Sequence, residues 1–310
     1  MLRKKIKALV LLSGGLDSIL AVKILKNQGI KIKTLSFKSY FFHSEQAEKA
    51  ARNLKIPLQI IDFSKAHLKL VKKPRHGYGS SMNPCIDCHI LMLKKAKTIM
   101  KREDFDFVAT GEVLGERPMS QNRKSLELVE KESSLKGYLL RPLSAKLLHP
   151  TIPENKKWVK REKLLDIEGR SRKKQIELAK KFKIKYYPTP ASGCLLTDLE
   201  FGKKLKELLK RHPKCDENDI ELLKLGRHFW QKKIKIIVGR EHKENLKIKK
   251  LAQKRDTLIE MKNYPGPTTL IRNFDKKKEI SKNVLEKAKF LTQRYSKKAR
   301  NKKDVEFEVK

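Results

Sequence analysis

Two sets of residues in this 310-residue sequence have types and spacing suited to chemistry: a glycine–serine turn at 13–18, and cysteines at 85, 88 and 194. In Ser13-Gly14-Gly15-Leu16-Asp17-Ser18 the paired glycines let the backbone fold tightly, so that several N–H groups can point at one anion. Ser13 and Ser18 add hydroxyl donors, and a helix starting at Asp17 turns its positive end to the same point. No Gly-Lys-Ser/Thr follows, which excludes an ordinary Walker loop. The plainer alternative is a strand-to-helix turn with no ligand.

The cysteines leave three readings open. Asn83-Pro84-Cys85-Ile86-Asp87-Cys88-His89 opens a helix with a CxxC. A third thiol comes in Pro190-Ala191-Ser192-Gly193-Cys194, and Cys215 stands apart in a polar segment. A redox pair needs only Cys85 and Cys88. A structural zinc wants four ligands, with His89 or Cys215 completing the set. An iron–sulfur cluster held by three cysteines leaves one iron open.

Lesser candidates surround these. Val108-Ala109-Thr110-Gly111-Glu112 ends a strand at a glycine, where ligands of parallel sheets bind. Arg117, Arg141 and the run Arg170-Ser171-Arg172 are candidate phosphate contacts. His43, His76 and His149 are scattered and read as structural or surface residues, and Cys215 as a surface or core thiol. Tyr186-Tyr187-Pro188-Thr189-Pro190 is a stiff run that delivers Cys194.

Elements to position these groups follow from the hydrophobic pattern. Ala8–Leu12 is a wholly apolar run, the mark of a strand covered on both faces. Helix and strand then alternate through 17–27, 30–37, 44–54, 58–63, 88–101, 105–110 and 138–140, which predicts an α/β fold with a doubly wound parallel sheet. After Cys194 the texture changes. Helices are expected at 201–211, 219–225 and 241–251, and strands at 233–238 and 268–272. Lysines crowd a final helical stretch from Lys276 that lacks a strong apolar face and reads as a frayed tail. The expected domains are 1–199 and a smaller, basic α+β domain, 200–310. Lysine plus arginine number 75 against 35 acidic residues, a net charge of +40, which calls for a polyanionic partner. No apolar stretch suits a membrane span or a secretion signal, and few cysteines suit a reducing cytoplasm.

The hexapeptide at 13–18 resembles the SGGxDS signature of the PP-loop ATP pyrophosphatases, a branch of the adenine nucleotide alpha hydrolase-like fold. The resemblance implies that ATP, with Mg²⁺, is cleaved between its α and β phosphates to adenylate a substrate. Ser13, Gly14, Gly15, Asp17 and Ser18 would grip the phosphates, Ser36 would border adenine, and Thr110 and Gly111 would lie at the second nucleotide edge. A CxxC about seventy residues on, and a lone cysteine about a hundred beyond it, are similar to the cluster-dependent tRNA thiolation enzymes. That likeness implies a 4Fe–4S cluster on Cys85, Cys88 and Cys194, zinc being the alternative. It also implies tRNA as partner, a sulfide or persulfide donor, and catalytic roles for Asp17, Cys194 and Lys94, the last near the reacting uridine. Glu112 is a departure, since those families carry Thr-Gly-His there. In the C-terminal third, Leu225-Gly226-Arg227-His228-Phe229-Trp230, Ile236–Arg240 and Glu244–Leu246 resemble the RNA-binding domain of NFACT-type proteins. Its cations would hold phosphates while Phe229, Trp230 and Tyr264 stack on bases. The expected activity is ATP-dependent conversion of a tRNA uridine to 2- or 4-thiouridine. The alternatives are adenylation of a small molecule for sulfur insertion or amidation, and a non-catalytic, zinc-stabilised RNA binder.

Overall fold

A computed structural model of the chain describes residues 5–189, 193–275 and 279–310. The end of the Tyr186–Pro190 run, the start of the Cys194 motif (190–192) and the first lysines of the basic tail (276–278) lie outside the described residues. The chain divides into two compact units, Met1–Thr197 and Asp198–Lys310.

The first unit runs β1 (Lys7–Leu11), α1 (Leu16–Lys26), β2 (Lys31–Lys38), α2 (Glu45–Leu54), β3 (Leu58–Asp62), α3 (Ser64–Lys72), α4 (Cys85–Arg102), β4 (Phe107–Ala109), α5 (Arg123–Glu132), β5 (Leu139–Leu140), α6 (Ile152–Asn155) and α7 (Lys173–Lys181). Its sheet has the order β3-β2-β1-β4-β5, and every pairing is parallel. Alternation along β1 explains its unbroken apolar run. Ala8 and Val10 pack under α1, α2 and α7, while Leu9 packs with Leu35 under α4 and α5. Both faces are covered, so the expected doubly wound sheet is observed. The strand order reverses between β1 and β4, and the crevice outside their carboxyl ends is the natural ligand position of such a sheet.

The second unit runs α8 (Leu199–Arg211), α9 (Glu217–Leu223), β6 (Arg227–Gln231), β7 (Ile234–Val238), α10 (His242–Leu251), β8 (Thr257–Met261), β9 (Thr269–Asn273), α11 (Lys282–Arg294) and β10 (Phe307–Val309). Its sheet is antiparallel in the order β10-β8-β9-β7-β6. The frayed tail expected from the sequence is corrected here. Val284, Ala288 and Leu291 put an apolar stripe of α11 against Ile236, Val238 and Ile271. Beyond it, β10 closes the sheet by pairing Phe307 with Met261 and Val309 with Ile259. The opposite face is covered by α9 and α10 through Leu222, Leu225 and Ile248.

Candidate functional site

The turn at 13–18 joins the carboxyl end of β1 to α1, as the sequence predicts. Gly14 has φ +85°, and a Cβ there would run into the backbone of Gln46 and Ala47 at the start of α2. Ser13 Oγ accepts from Gly15 N–H at 3.3 Å, and Ser18 Oγ donates to the Gly15 carbonyl at 2.8 Å. Gly15 is the N-cap of α1 and offers no side-chain cap, so the first-turn donors are not taken by a capping side chain. Asp17 is flanked by Arg172, Gln175 and Arg117. Burial raises its pKa, and these neighbours, Arg172 foremost, oppose the rise. Asp17 Oδ1, Arg172 Nε and both amide atoms of Gln175 are buried with no hydrogen-bond partner among the described residues. Groups so placed are ready for a charged ligand. Arg117 and Arg172 were legible as candidate phosphate contacts. Gln175, and Glu116 beside Asp17, carried no sequence signal, because α7 reaches the turn only through the tertiary fold.

Gly111 presses against the turn from β4: a Cβ there would lie 2.5 Å from Asp17 C and Ser18 N. Ser36, on β2, is buried. Beyond Gly111, Glu112 accepts from Thr110 Oγ1 at 2.9 Å and from Arg141 Nε at 3.0 Å, and it meets His89 Nδ1 at 2.9 Å. Burial opposes ionisation of Glu112, yet Arg141 and then His89 and Thr110 outweigh it and hold the carboxyl well below the usual carboxylate range. Arg141 also donates to Glu130 Oε2 at 3.1 Å and to the Leu126 carbonyl at 3.1 Å. The expectation that Arg141 grips phosphate is therefore corrected: it is buried and its donors are spent on structure.

Both CxxC thiols stand on the first two turns of α4, which opens at Cys85 behind Pro84. Asp87, between them, is fixed by the backbone N–H of His76 at 2.9 Å and the His76 ring at 3.1 Å, so His76 is structural as expected. Asn83 Nδ2 donates to Cys85 Sγ at 3.3 Å. Cys194 joins them from the far end of the unit, where the Leu195 N–H bonds the Phe41 carbonyl at 3.0 Å. Burial pushes the Cys88 thiol well above the ordinary value, reinforced by the charges of Cys194 and Cys85. Burial, with Cys85, likewise pushes Cys194 up to about 11. Cys88 and Cys194, so raised, lack the low pKa of a reactive redox pair. The three thiols are not drawn together to ligand distance: among the described residues no three His, Cys, Asp or Glu side chains are placed to hold a metal ion. None of the three is in a disulfide, and Cys215 is buried in the second unit. Lys94 is exposed on α4, with no side-chain contact to these groups among the described residues.

Residues 4–146 match the model of the family described as thiamine biosynthesis protein (ThiI), and residues 226–310 that described as NFACT protein RNA binding domain. The chain is 28% identical over 231 residues to a tRNA-specific 2-thiouridylase MnmA of Caldicellulosiruptor saccharolyticus, covering 66% of this chain and 59% of that protein. It is 28% identical over 148 residues to a probable tRNA sulfurtransferase of Brevibacillus brevis, covering 45% and 35%. The likeness is to PP-loop tRNA thiolation enzymes. A crystallised 4-thiouridine synthetase–RNA complex with bound ATP superposes with a TM-score of 0.41 at 21% identity, covering 70% of this chain and 52% of that one. The chain spans between a third and three fifths of the length of these curated relatives. No helix among the described residues is long and apolar enough to cross a membrane.

In the NFACT-like unit, the rings expected to stack on bases already have partners within the unit. Phe229 packs on Tyr295, Trp230 lies beside Arg211 at 5.2 Å and Lys235 at 5.4 Å, and the Tyr264 hydroxyl donates to Asp304 at 2.8 Å. Phe290 on α11 is the ring left 58% exposed, with Arg294 over it. Lys235 is 2% exposed, opposite Trp230 and Arg272 in the sheet. Arg272 is matched by Asp219 and Asp256, whereas Lys235 has no ion pair among the described residues. Burial lowers its pKa to about 7, Asp219 opposing and Arg272 and Lys204 assisting. From about pH 7 to the ordinary lysine value the unfolded chain holds a proton that the folded unit lacks, so stability rises with pH across that window. Lys235→Met should flatten this rise and stabilise the unit at pH 7 by a few kcal/mol, roughly 2–5. Thermal melts of both proteins at pH 6.5 and 9.5 check it; parallel pH responses would contradict it.

Proposed function

We propose that the chain is an ATP-dependent tRNA thiouridine synthetase. The observation that supports the reading is that Cys85, Cys88 and Cys194 lie in the same compact unit as the Ser13–Ser18 turn, with Asp17, Arg172 and Gln175 gathered at that turn. A uridine carbonyl oxygen attacks the α-phosphorus of ATP, pyrophosphate leaves, and sulfur then attacks the activated carbon and expels AMP. The backbone donors of the turn, with Ser13 and Ser18, hold the phosphates that depart, and Arg172 and Arg117 offset the charge that develops there. Asp17, with Mg²⁺, orients the nucleotide, and Gly111 keeps the turn in place. Cys85, Cys88 and Cys194 would be the ligands of a 4Fe–4S cluster, which with three protein ligands would supply an open iron for sulfide. Zinc on the same thiols remains the alternative, with sulfur carried as a persulfide. The NFACT-like unit brings lysines and arginines to the tRNA phosphates, an attraction that weakens steeply with salt.

Unmodified tRNA incubated anaerobically with the protein, ATP, Mg²⁺ and sulfide should gain one thiouridine species, read by mass spectrometry of the digested nucleosides. ATP should appear as AMP and pyrophosphate. Conversion to ADP and phosphate, or AMP release without any thionucleoside, would sink the reading.

A further inference from the structure

Neither the phosphate turn nor the thiols can tell uracil from cytosine, so some other group must read the acceptor base. Glu112 offers a way to find it. Oε2 takes Thr110 and Arg141, and Oε1 takes His89. An ionised carboxylate only accepts hydrogen bonds, so Nδ1 of His89 must be the donor, and in the neutral ring Nε2 then presents a lone pair. Nε2 has no partner among the described residues, and the ring is 31% exposed.

The location is as informative as the bond. His89 follows Cys88 in the chain. Its partner Glu112 follows Gly111, which rests on the backbone of Asp17 and Ser18. The imidazole thus stands on the thiol helix, and its partner Glu112 is the neighbour of the glycine that packs on the phosphate turn. An acceptor carbonyl that meets the α-phosphate first and sulfur second must lie between those two. In uracil, N3–H adjoins both C2 and C4, so a group that grips N3–H serves thiolation at either carbon.

We infer that His89 is a specificity-determining residue that accepts the N3–H of the acceptor uracil at Nε2, with Glu112, backed by Arg141 and Thr110, as its positioning residue. The inference rests on the thiolation reading above. Cytosine carries a lone pair at N3 where uracil carries the proton, so Nε2 and N3 would repel. A site built to hydrogen-bond a substrate N–H rejects analogues lacking it far more strongly than an apolar pocket rejects a methyl group.

The test uses the full chain and the tRNA position at which the preceding experiment finds thiouridine. That uridine is replaced by 3-methyluridine through ligation of synthetic RNA, and kcat/KM for tRNA-dependent AMP release is measured on both tRNAs. Wild type should prefer uridine by ~100-fold or more. His89→Ala, which loses the acceptor and opens room for the methyl, should lower that preference at least ~10-fold. Any intrinsic sluggishness of 3-methyluridine cancels in this comparison of ratios. His89→Gln, whose amide oxygen can accept in place of Nε2, should retain most of the preference. A merely structural role would slow both tRNAs alike, and an unchanged preference in His89→Ala would overturn the inference while leaving the thiolation reading intact. No tRNA-dependent AMP from wild type on the uridine tRNA would overturn that reading, and the inference with it.

Discussion

Cys85→Ala, Cys88→Ala and Cys194→Ala should each reduce thiouridine formation to background, a loss of at least ~10³-fold, while Cys215→Ala leaves it unchanged. The reason is stoichiometric: a centre with three protein ligands cannot spare one. Cys215 lies in the other compact unit and is buried in its core, so its loss falls on that unit and spares the thiol site. The adenylation half-reaction separates the possibilities. Pyrophosphate release depends on the turn at 13–18 and should survive in all four variants, so the three site mutants should release pyrophosphate and leave AMP on the tRNA without yielding thionucleoside. Iron and sulfide analysis of the anaerobic proteins completes the set, with wild type and Cys215→Ala brown and holding about four irons per chain. Thiolation by Cys194→Ala at the wild-type rate would remove Cys194 from the site and restore the redox-pair reading of Cys85 and Cys88.

Asp17→Asn should cut AMP release by ~10³-fold or more, with little change in folding. Asparagine keeps the shape and removes the charge. The carboxylate lies beside Arg172, Gln175 and Arg117, with Oδ1 buried and without a hydrogen-bond partner among the described residues. It persists although burial disfavours its charge, which is the mark of a group held for a ligand rather than for the fold. The variant should therefore melt no lower than wild type, since relieving a buried, poorly paired charge costs the native state nothing. AMP release within threefold of wild type would remove Asp17 from the nucleotide site.

The sequence made some of this architecture plain and concealed the rest for identifiable reasons. The turn at 13–18 was readable because its conformational demands select glycine locally, as φ at Gly14 shows. The parallel sheet was readable because strands covered on both faces are apolar without alternation. Helix α11 was misjudged because lysines separate Val284, Ala288 and Leu291, and their number hides the stripe. Strand β6 was missed because it is an edge strand, every residue half-buried, so neither an apolar run nor alternation marks it. Of the site, Arg172 was legible as a cation near a helix start. Gln175 and the His89–Glu112 pair were not, because each is made by elements that meet only in three dimensions. The departure at Glu112 was visible. Its explanation, an imidazole arriving from α4, needed the fold.

The hydrogen bond from Leu195 to Phe41 has a consequence for biosynthesis. It spans most of the first unit, and Arg172 reaches back to Asp17 over a comparable stretch. Neither pocket can exist on a nascent chain that has exposed only the β1–α5 segment, however well folded that segment is. At ordinary elongation rates of about 5–20 residues per second, Cys85 and Cys88 emerge about 5–20 s before Cys194. During that interval the pair stands without its third member, open to oxidation or to a wrongly chosen metal. On the proposed reading, an iron–sulfur centre on these thiols would form only after Cys194 has emerged, and supply of iron and sulfur would be timed to that event rather than to the first appearance of the cysteines.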